Sequence, residues 1–334
     1  MKRKYIYLML SVLLPLAALV SIRYGAVSIS LEEMWTAITA SEGHTVHERI
    51  FLDLRLPRTL LAMLCGGALS VGGVLLQSLF RNPIVEPGLI GTSSGAAFGA
   101  AMYFVMGAAL PAVFGAATLG VMSLIGSLAA TLLLLIFDKR TVGAEIQILL
   151  AGVAINALFL SGVGFLSYLA RDPQARSITF WNLGTLSGAT WLNVGVVAMA
   201  VLPALFWSLR LSKGLNALTL GVSEAAHLGV KVRVFRWTII GLQIALVASV
   251  TSVTGVIPFV GLIVPHTLRL LGGGEHKFLL IGSMLLGPIV VLLTDVLART
   301  LLMPAEVPLG ILTSFIGAPL FLFLLRKSFR TISL

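Results

Sequence analysis

The sequence predicts an all-α polytopic membrane protein with about ten transmembrane helices. Hydrophobic residues make up 58% of the 334 residues and charged residues 11%, with a mean hydropathy of +1.03, whereas a soluble domain carries about 25% charged residues. The apolar residues form continuous runs of ~20, the length of a membrane-spanning helix. They do not alternate as in the strands of an outer-membrane barrel. We therefore expect one transmembrane domain over residues 1–334.

Ten apolar segments can be read along the chain. They are Tyr5–Ile22, Leu60–Phe80, Leu89–Val105, Ala112–Phe137, Ile146–Leu169, Trp191–Leu209, Trp237–Gly255, Phe259–Leu271, Phe278–Leu297 and Pro308–Leu325. The eighth is short and closely follows the seventh, so nine spans with a half-span are the alternative. No clear small-residue cleavage site follows the first segment, which we therefore interpret as a retained span and not a signal peptide.

Both ends of the chain are basic, with cations at 2–4 and at 326–330. An excess of Lys and Arg marks the cytoplasmic face of a membrane protein. An even number of spans puts both termini on that face, together with most of the 23 Lys and Arg residues. We expect a multi-pass membrane protein with both termini in the cytoplasm. The net charge of +10 then reflects topology and not nucleic-acid binding.

The first outer loop is predicted to cover residues 25–57. Ser30 and Glu33 have the spacing of a capping box, which predicts a short surface helix through Ile38. Every cation that this topology places outside is an arginine, whose guanidinium binds carboxylates through two parallel hydrogen bonds. The pattern indicates a surface that meets acidic groups, with snorkelling at helix ends as the alternative.

The elbow, Arg81–Gly91, interrupts two long apolar runs. Pro83 and Pro87 cannot continue a helix, and Gly88 supplies flexible backbone. Unpaired backbone survives near a bilayer only when protein buries it or it lines a water-filled path. The elbow is therefore a candidate for part of a pathway, and a plain connecting turn is the alternative. After it, glycines recur at 91, 95 and 99, which predicts a close helix–helix contact.

The largest cytoplasmic feature is predicted at residues 211–236. Ser223 could cap a short helix that holds Glu224, Ala225 and Ala226, followed by Leu228 and ended by Gly229. A short helix with small side chains, outside the membrane between two spans, suits a socket on a soluble partner. A lone surface helix is the alternative.

A weak sequence similarity between the two halves of the chain indicates an inverted repeat. Arg55–Arg58 opens the second segment and Arg233–Arg236 the seventh, and Gly88-Leu-Ile is matched by Gly261-Leu-Ile. The first copy enters from outside and the second from inside, an arrangement common in transporters.

Four motifs resemble the permease subunits of the ATP-driven importers for iron-siderophores, haem and vitamin B12. They are Arg55-Leu-Pro-Arg58 with a small-residue helix to Gln77; Arg81-Asn-Pro to Pro87-Gly-Leu-Ile-Gly91, then Ser94-Gly95-Ala96; Phe259 to Pro265-His266 with Arg269; and Asp295-Val-Leu-Ala-Arg299 with Val307 to Thr313 and Gly317-Ala-Pro319. The resemblance covers nearly the whole chain. Pro258, and Glu275 and Lys277 beside His276, depart from the usual pattern.

The resemblance implies a ten-helix, type II importer fold whose two copies form the pathway at their interface. It also implies two cytoplasmic ATPase subunits and a periplasmic or lipid-anchored binding protein. The residues that match the family's cytoplasmic gate are Asn82, Pro83, Ile84, Thr141 and Val142. Leu220–Val230 resembles its ATPase-coupling helices. Arg55, Arg58 and Arg299 resemble the outer arginines that meet glutamates of the binding protein, and Asp295 stands at ion-pair spacing from Arg299.

We expect no catalytic residue and no cofactor bound by this chain. No Gly-x4-Gly-Lys-Ser/Thr phosphate loop occurs, so ATP is expected to be used by a partner subunit. The five histidines show no metal-ligand spacing, and the single cysteine, Cys65, cannot form an internal disulfide.

The cargo is the least determined part of the sequence. Residues 171–176 are predicted as an outer loop followed by aromatics, where Arg176 could receive the propionates of a haem. Pairing of Arg176 with Asp172 is the alternative. Haem is expected ahead of a ferric siderophore, with cobalamin behind. An ion-coupled secondary transporter is a different class of protein, but its mid-span ionisable groups have no counterpart in the nearly charge-free central stretches.

Overall fold

The computed structural model describes residues 3–39, 45–107, 118–136 and 144–332, and most of these residues are helical. The long elements in chain order are α1 Arg3–Arg23, α4 Leu56–Leu79, α5 Thr92–Met106, α6 Thr118–Ile136, α7 Ala144–Leu169, α9 Trp191–Arg210, α12 Val232–Gln243 with α13 Ser249–Thr254, α14 Val260–Gly272, α15 His276–Thr300 and α16 Leu309–Ile332. The short helices are α2 Leu31–Thr39, α3 Val46–Arg49, α8 Asp172–Asn182, α10 Ser212–Leu220 and α11 Val222–His227.

Each predicted apolar segment corresponds to a helix, which confirms the fold class. By length and composition, six helices of the described chain could cross a membrane. The helix α14 has 13 residues, about 20 Å at 1.5 Å per residue, and cannot cross a hydrocarbon core of about 30 Å. Its length therefore favours the alternative in which the eighth segment is a half-span.

The helix α4 lies at the centre of the bundle. Its most apolar stretch is 83% buried, against 22% for the corresponding stretch of α1. Glycines permit this burial: a Cβ on Gly66 would overlap the backbone of Gly287 in α15, and one on Gly73 would overlap the carbonyl oxygen of Gly261 in α14. The backbones therefore touch directly, which makes α4 the element against which α14 and α15 are positioned.

The predicted glycine stripe of α5 packs against α6. A Cβ on Gly95 would overlap Gly126 of α6, and a Cβ on Gly99 would overlap the backbone of Met122. Gly91 has a φ of +86°, which suits glycine where the chain turns into α5. The close contact expected from the spacing is confirmed.

Two groups of contacts define opposite ends of the bundle. At the elbow end, Arg3 Nε donates to the Gly272 carbonyl at 2.9 Å, and the side chain of Asn216 meets His276. At the arginine end, Arg299 Nη1 donates to the Tyr24 carbonyl at 3.1 Å. Segments predicted to be inside thus gather at one end and segments predicted to be outside at the other. Which end faces the cytoplasm stays a prediction.

Three local expectations are corrected. Residues 171–176 are not a loop, because Asp172–Asn182 is helical. The outer loop 25–57 is shorter than predicted, because Thr45 and Glu48 form a second capping box that starts a helix at Val46, and a π-helical turn, Ile50–Arg55, joins it to α4. The N-cap of α11 is Gly221 and not Ser223. The helix Leu31–Thr39 with its Ser30–Glu33 capping box is confirmed.

Candidate translocation gate and docking surfaces

The first half of the elbow is a tight turn built by Asn82. Its backbone N–H donates to the Gln77 carbonyl at 3.0 Å, and its Oδ1 accepts from the N–H of Ile84 at 3.0 Å. Arg81 adopts a φ of +49°, which reverses the chain at the end of α4. The side chain of Ile84 is 42% exposed. A turn fixed by its own hydrogen bonds thus presents Pro83 and Ile84 at the elbow end.

The second half of the elbow is attached to the first residues of the half-span α14. The carboxyl group of Glu86 accepts a short hydrogen bond from the N–H of Phe259, whose φ is +68°. A Cβ on Gly261 would lie 3.0 Å from Pro87 and 2.8 Å from the carbonyl oxygen of Leu69, in the middle of α4. The elbow therefore reaches into the bundle, beside the central turns of α4.

Glu86 lies outside the predicted apolar segments in the sequence, yet the fold brings its carboxyl group to the start of α14 and its neighbour Pro87 beside the middle of α4. The carboxyl group accepts from the N–H of the N-cap residue of α14, the bond that an N3 side chain makes in a capping box. Neither its depth nor its partner leaves a pattern in the sequence.

Replacing Glu86 with alanine is expected to destabilise the protein by about 1–3 kcal/mol, because the N–H of Phe259 loses its acceptor. Glu86→Gln keeps an acceptor oxygen and is expected to lose less. The thermal midpoint in detergent measures both, with the exposed Glu32→Gln as a control. Equal midpoints for Glu86→Ala and the parent would show that this hydrogen bond does not hold the elbow.

The candidate coupling helix α11 also lies near the elbow end. Two hydrogen bonds close it, from the N–H of Gly229 to Ala226 and from the N–H of Val230 to Ala225, both at 3.0 Å, with Gly229 at a φ of +84°. This is the Schellman arrangement, so the predicted role of Gly229 as helix terminator is confirmed. Ala225 is fully buried, whereas Ser223, Glu224, Ala226 and Leu228 are exposed. The surface available to a partner therefore excludes Ala225.

A cavity of about 320 Å³ separates the elbow from this loop. It is lined by Asn82 and Pro83 on one side and by Thr219, Arg269 and His276 on the other. The elbow and the 211–236 segment therefore face each other across open space. The gate residues predicted at Thr141 and Val142 lie outside the described residues.

The three predicted docking arginines form an internal network at the other end. Arg58 donates to Asp295 and to Glu306, in each case at 2.9 Å, and Arg299 Nε lies 3.0 Å from Asp295. Arg55 donates to the carbonyls of Val27 and Tyr24. The three side chains therefore bond within the chain: Arg55 and Arg299 are buried, and the side chain of Arg58 is 13% exposed.

The network leaves a positive mouth at the surface. Three arginines face two carboxylates, and a cavity of about 240 Å³ is lined by Arg55, Arg58, Arg299 and Glu306. The ion pair expected from the spacing of Asp295 and Arg299 is confirmed. Whether a binding protein docks at this mouth stays a prediction.

The candidate cargo residue Arg176 lies exposed on α8, with Phe180 one turn later and 56% exposed. No ion pair between Arg176 and Asp172 occurs among the described residues. An apolar cavity of about 440 Å³ adjoins the end of α8 and is lined by Asn182, Pro258, Ile311 and Phe315. In the described part of the chain, no group of His, Cys, Asp and Glu residues could hold a metal ion.

Comparison with known proteins identifies the fold and the family together. The model of the FecCD transport family matches residues 13–327. The hemin transport system permease protein HmuU of Yersinia pestis is 41% identical over 318 residues, covering 95% of this chain and 94% of that protein. The vitamin B12 permease BtuC of Shigella sonnei is 36% identical, with 97% and 95% covered. The molybdate permease MolB of Haemophilus influenzae is 37% identical, with 95% and 94% covered.

A solved structure supports the same family assignment. A transporter assigned to the metal-chelate ABC type, in an inward-facing conformation, superposes with a TM-score of 0.86 at 34% identity, covering 97% of this chain and 99% of that one. These matches run along nearly the full length of the bundle, elbow and coupling helix included. The chain therefore belongs to the FecCD transport family and is a multi-pass permease of a type II ABC importer.

Proposed function

We propose that this permease carries an iron chelate, and haem in first place, across the bacterial inner membrane. The observation that carries the proposal is the 41% identity to a haem permease over 95% of the chain, above the 36% and 37% of the vitamin B12 and molybdate relatives. A ferric siderophore is the second candidate within the iron chelates. Cobalamin is the alternative that the 36% relatives favour.

The chain works in this proposal as a homodimer with two cytoplasmic ATPase subunits, which bind ATP, and an outer binding protein. The exposed face of α11 supports the first contact, because Glu224, Ala226 and Leu228 present a small, mixed surface beside the elbow. The positive mouth around Arg55 and Arg58 supports the second. Charge complementarity at such a mouth would steer and orient an acidic partner more than it would add affinity.

The cargo is tested with the complete complex in proteoliposomes. The cognate binding protein is loaded in turn with haem, a ferric siderophore, cobalamin or molybdate, and ATP-dependent uptake of each is measured. We expect uptake of haem. Uptake of cobalamin or molybdate without haem would overturn the assignment, and uptake of the siderophore alone would replace haem by the second iron chelate.

Arg176 is expected to receive an acidic group of the cargo on the outer side. Arg176→Ala should slow haem uptake by about fivefold at most, because an exposed ion pair contributes about 0.2–1 kcal/mol. Arg176→Lys keeps the charge but loses the bidentate fork, so its haem uptake rate should lie between those of the parent and of Arg176→Ala. Arg23→Ala removes an exposed arginine from the same end as a control. Haem uptake at the parent rate by Arg176→Ala would remove this role.

A further inference from the structure

Three side chains join α10, α15 and α4 at the elbow end. The Oδ1 atom of Asn216 accepts from the backbone N–H of His276 at 3.0 Å and lies 2.7 Å from His276 Nδ1. The other ring nitrogen, Nε2, lies 2.6 Å from the hydroxyl of Ser78. His276 is 3% exposed and Ser78 also 3%. One imidazole ring thus connects α10, in the predicted cytoplasmic loop 211–236, to the last turn of α4.

The hydrogen-bond directions follow from the amide of Asn216. Its Oδ1 faces the N–H of His276 and is an acceptor only, so Nδ1 of the ring is the donor. In the neutral ring Nε2 is then an acceptor and takes the hydroxyl proton of Ser78. That hydroxyl also lies 2.6 Å from the carbonyl of Val74. It has one proton and two acceptors, so the link to α4 has two alternative states.

The contacts run from the segment that holds the candidate coupling helix α11 to the turn that precedes the elbow, and these two parts must move together in an importer. Asn216 lies in α10, which Gly221 joins to the candidate coupling helix α11. Ser78 lies three residues before Arg81, and its neighbour Gln77 accepts from the N–H of Asn82 in the elbow. His276 lines the cavity between them. Within the described residues, the imidazole of His276 is the only side chain that hydrogen-bonds both Asn216 and the last turn of α4.

The start of α15 is fixed independently of the ring. Glu275 caps it, accepting from the N–H groups of Lys277 and Phe278, each at 2.9 Å. Burial works to raise the pKa of Glu275, but these two hydrogen bonds, one from the Asn216 side chain and the charge of Arg3 lower it. The carboxylate therefore anchors α15 without help from the imidazole. The ring is not needed as a cap.

We propose that His276 is a positioning residue that transmits movement of α10 and α11 to the elbow through Asn216 and Ser78. The proposal rests on the proposed function, since it requires an ATPase acting on α11. Displacement of α10 moves Asn216, the ring follows, and the hydroxyl of Ser78 exchanges Nε2 for the carbonyl of Val74. The elbow begins directly after the last turn of α4, which contains Ser78. The contact between the elbow and α4 therefore changes when the hydroxyl changes its acceptor.

Two half-mimics, variants that each keep one of the two hydrogen bonds of the ring, distinguish transmission of movement from simple anchoring of the helices. In His276→Asn the amide can stand in for Nδ1 and keep Asn216 but not Ser78. In His276→Gln the amide can stand in for Nε2 and keep Ser78 but not Asn216. Transmission of movement requires the hydrogen bonds to both Asn216 and Ser78, whereas anchoring requires only one of them. Ser78→Ala removes the switching hydroxyl. Ser208→Ala is its matched control, because that buried hydroxyl also caps the last turn of a long helix, at 2.7 Å from Ala204.

Gate movement is read by a cysteine at Ile84, which is 42% exposed, whereas the native Cys65 is fully buried. The complex of Ile84→Cys permease with its ATPase subunits is placed in nanodiscs. Labelling with a charged maleimide is timed with and without ATP. We expect ATP to change the labelling rate in this parent and in Ser208→Ala. In both half-mimics and in Ser78→Ala the change should shrink by about threefold or more, with unchanged ATPase binding and a thermal midpoint no lower than that of Ser208→Ala.

The outcomes separate the two claims. No ATP-dependent change in the Ile84→Cys parent would contradict the proposed gate and ATPase drive, and not the relay alone. An unchanged response in either half-mimic, with a normal response in the parent, would overturn the relay and leave the importer intact. A lowered thermal midpoint in all three variants, with a full response per folded molecule, would also overturn it, because the ring would then only anchor.

Discussion

Asp295→Asn is expected to lower the free energy of unfolding by about 3–5 kcal/mol, because it leaves two buried cations with one fewer charge partner. Asp295 is 1% exposed and accepts from Arg58, while the side chain of Arg299 is 5% exposed and lies 3.0 Å away. Titration with a denaturing detergent, monitored by tryptophan fluorescence, measures the loss.

Two further variants test the cause of this loss. Glu306→Gln removes the other carboxylate, whose side chain is 41% exposed, and should cost about 1 kcal/mol or less. Adding Arg58→Met to Asp295→Asn should restore part of the stability, because an unpaired buried cation is removed with its partner. Equal losses for Asp295→Asn and Glu306→Gln would contradict the buried network.

Ala226→Trp is expected to lower the amount of cargo moved per ATP hydrolysed by about tenfold or more, the change that about 1.4 kcal/mol produces. Ala226 is exposed on α11, so the chain should fold and insert. A large ring at that position would hold the ATPase surface away from the helix. Uptake and ATP hydrolysis, measured together in proteoliposomes, give the ratio.

Ala225→Trp provides the contrast. Ala225 is fully buried, so this variant should lower the thermal midpoint, unlike Ala226→Trp. Ser28→Trp adds the same ring to an exposed position at the arginine end and should leave the amount of cargo moved per ATP hydrolysed unchanged. An unchanged transport ratio in Ala226→Trp would remove α11 from the coupling mechanism.

The helices could be predicted because their information is local. A continuous apolar run specifies a span, a glycine every four residues specifies a contact such as that between α5 and α6, and Gly229 specifies a helix end. The short eighth run already raised the alternative of a half-span. These features need no knowledge of what lies across the bundle.

The parts that sequence reasoning missed depend on distant partners. Nothing near Arg58 in the chain indicates that Asp295 will bury it, 237 positions away. Glu86 looked like part of a surface turn because its partner, Phe259, comes from another half of the chain. The capping box of Thr45 and Glu48 was a local signal that could have been read. The helix Asp172–Asn182 likewise had a proline in its first turn, which favours a helix start.

In the function we propose, this chain is a pathway whose conformation is set by ATP hydrolysis on another subunit. Uptake of the cognate cargo into proteoliposomes, with the permease alone or with its partners, tests it most directly. We predict that uptake requires the ATPase and ATP and persists when an uncoupler collapses the proton gradient. Accumulation by the permease alone, driven by that gradient, would contradict it.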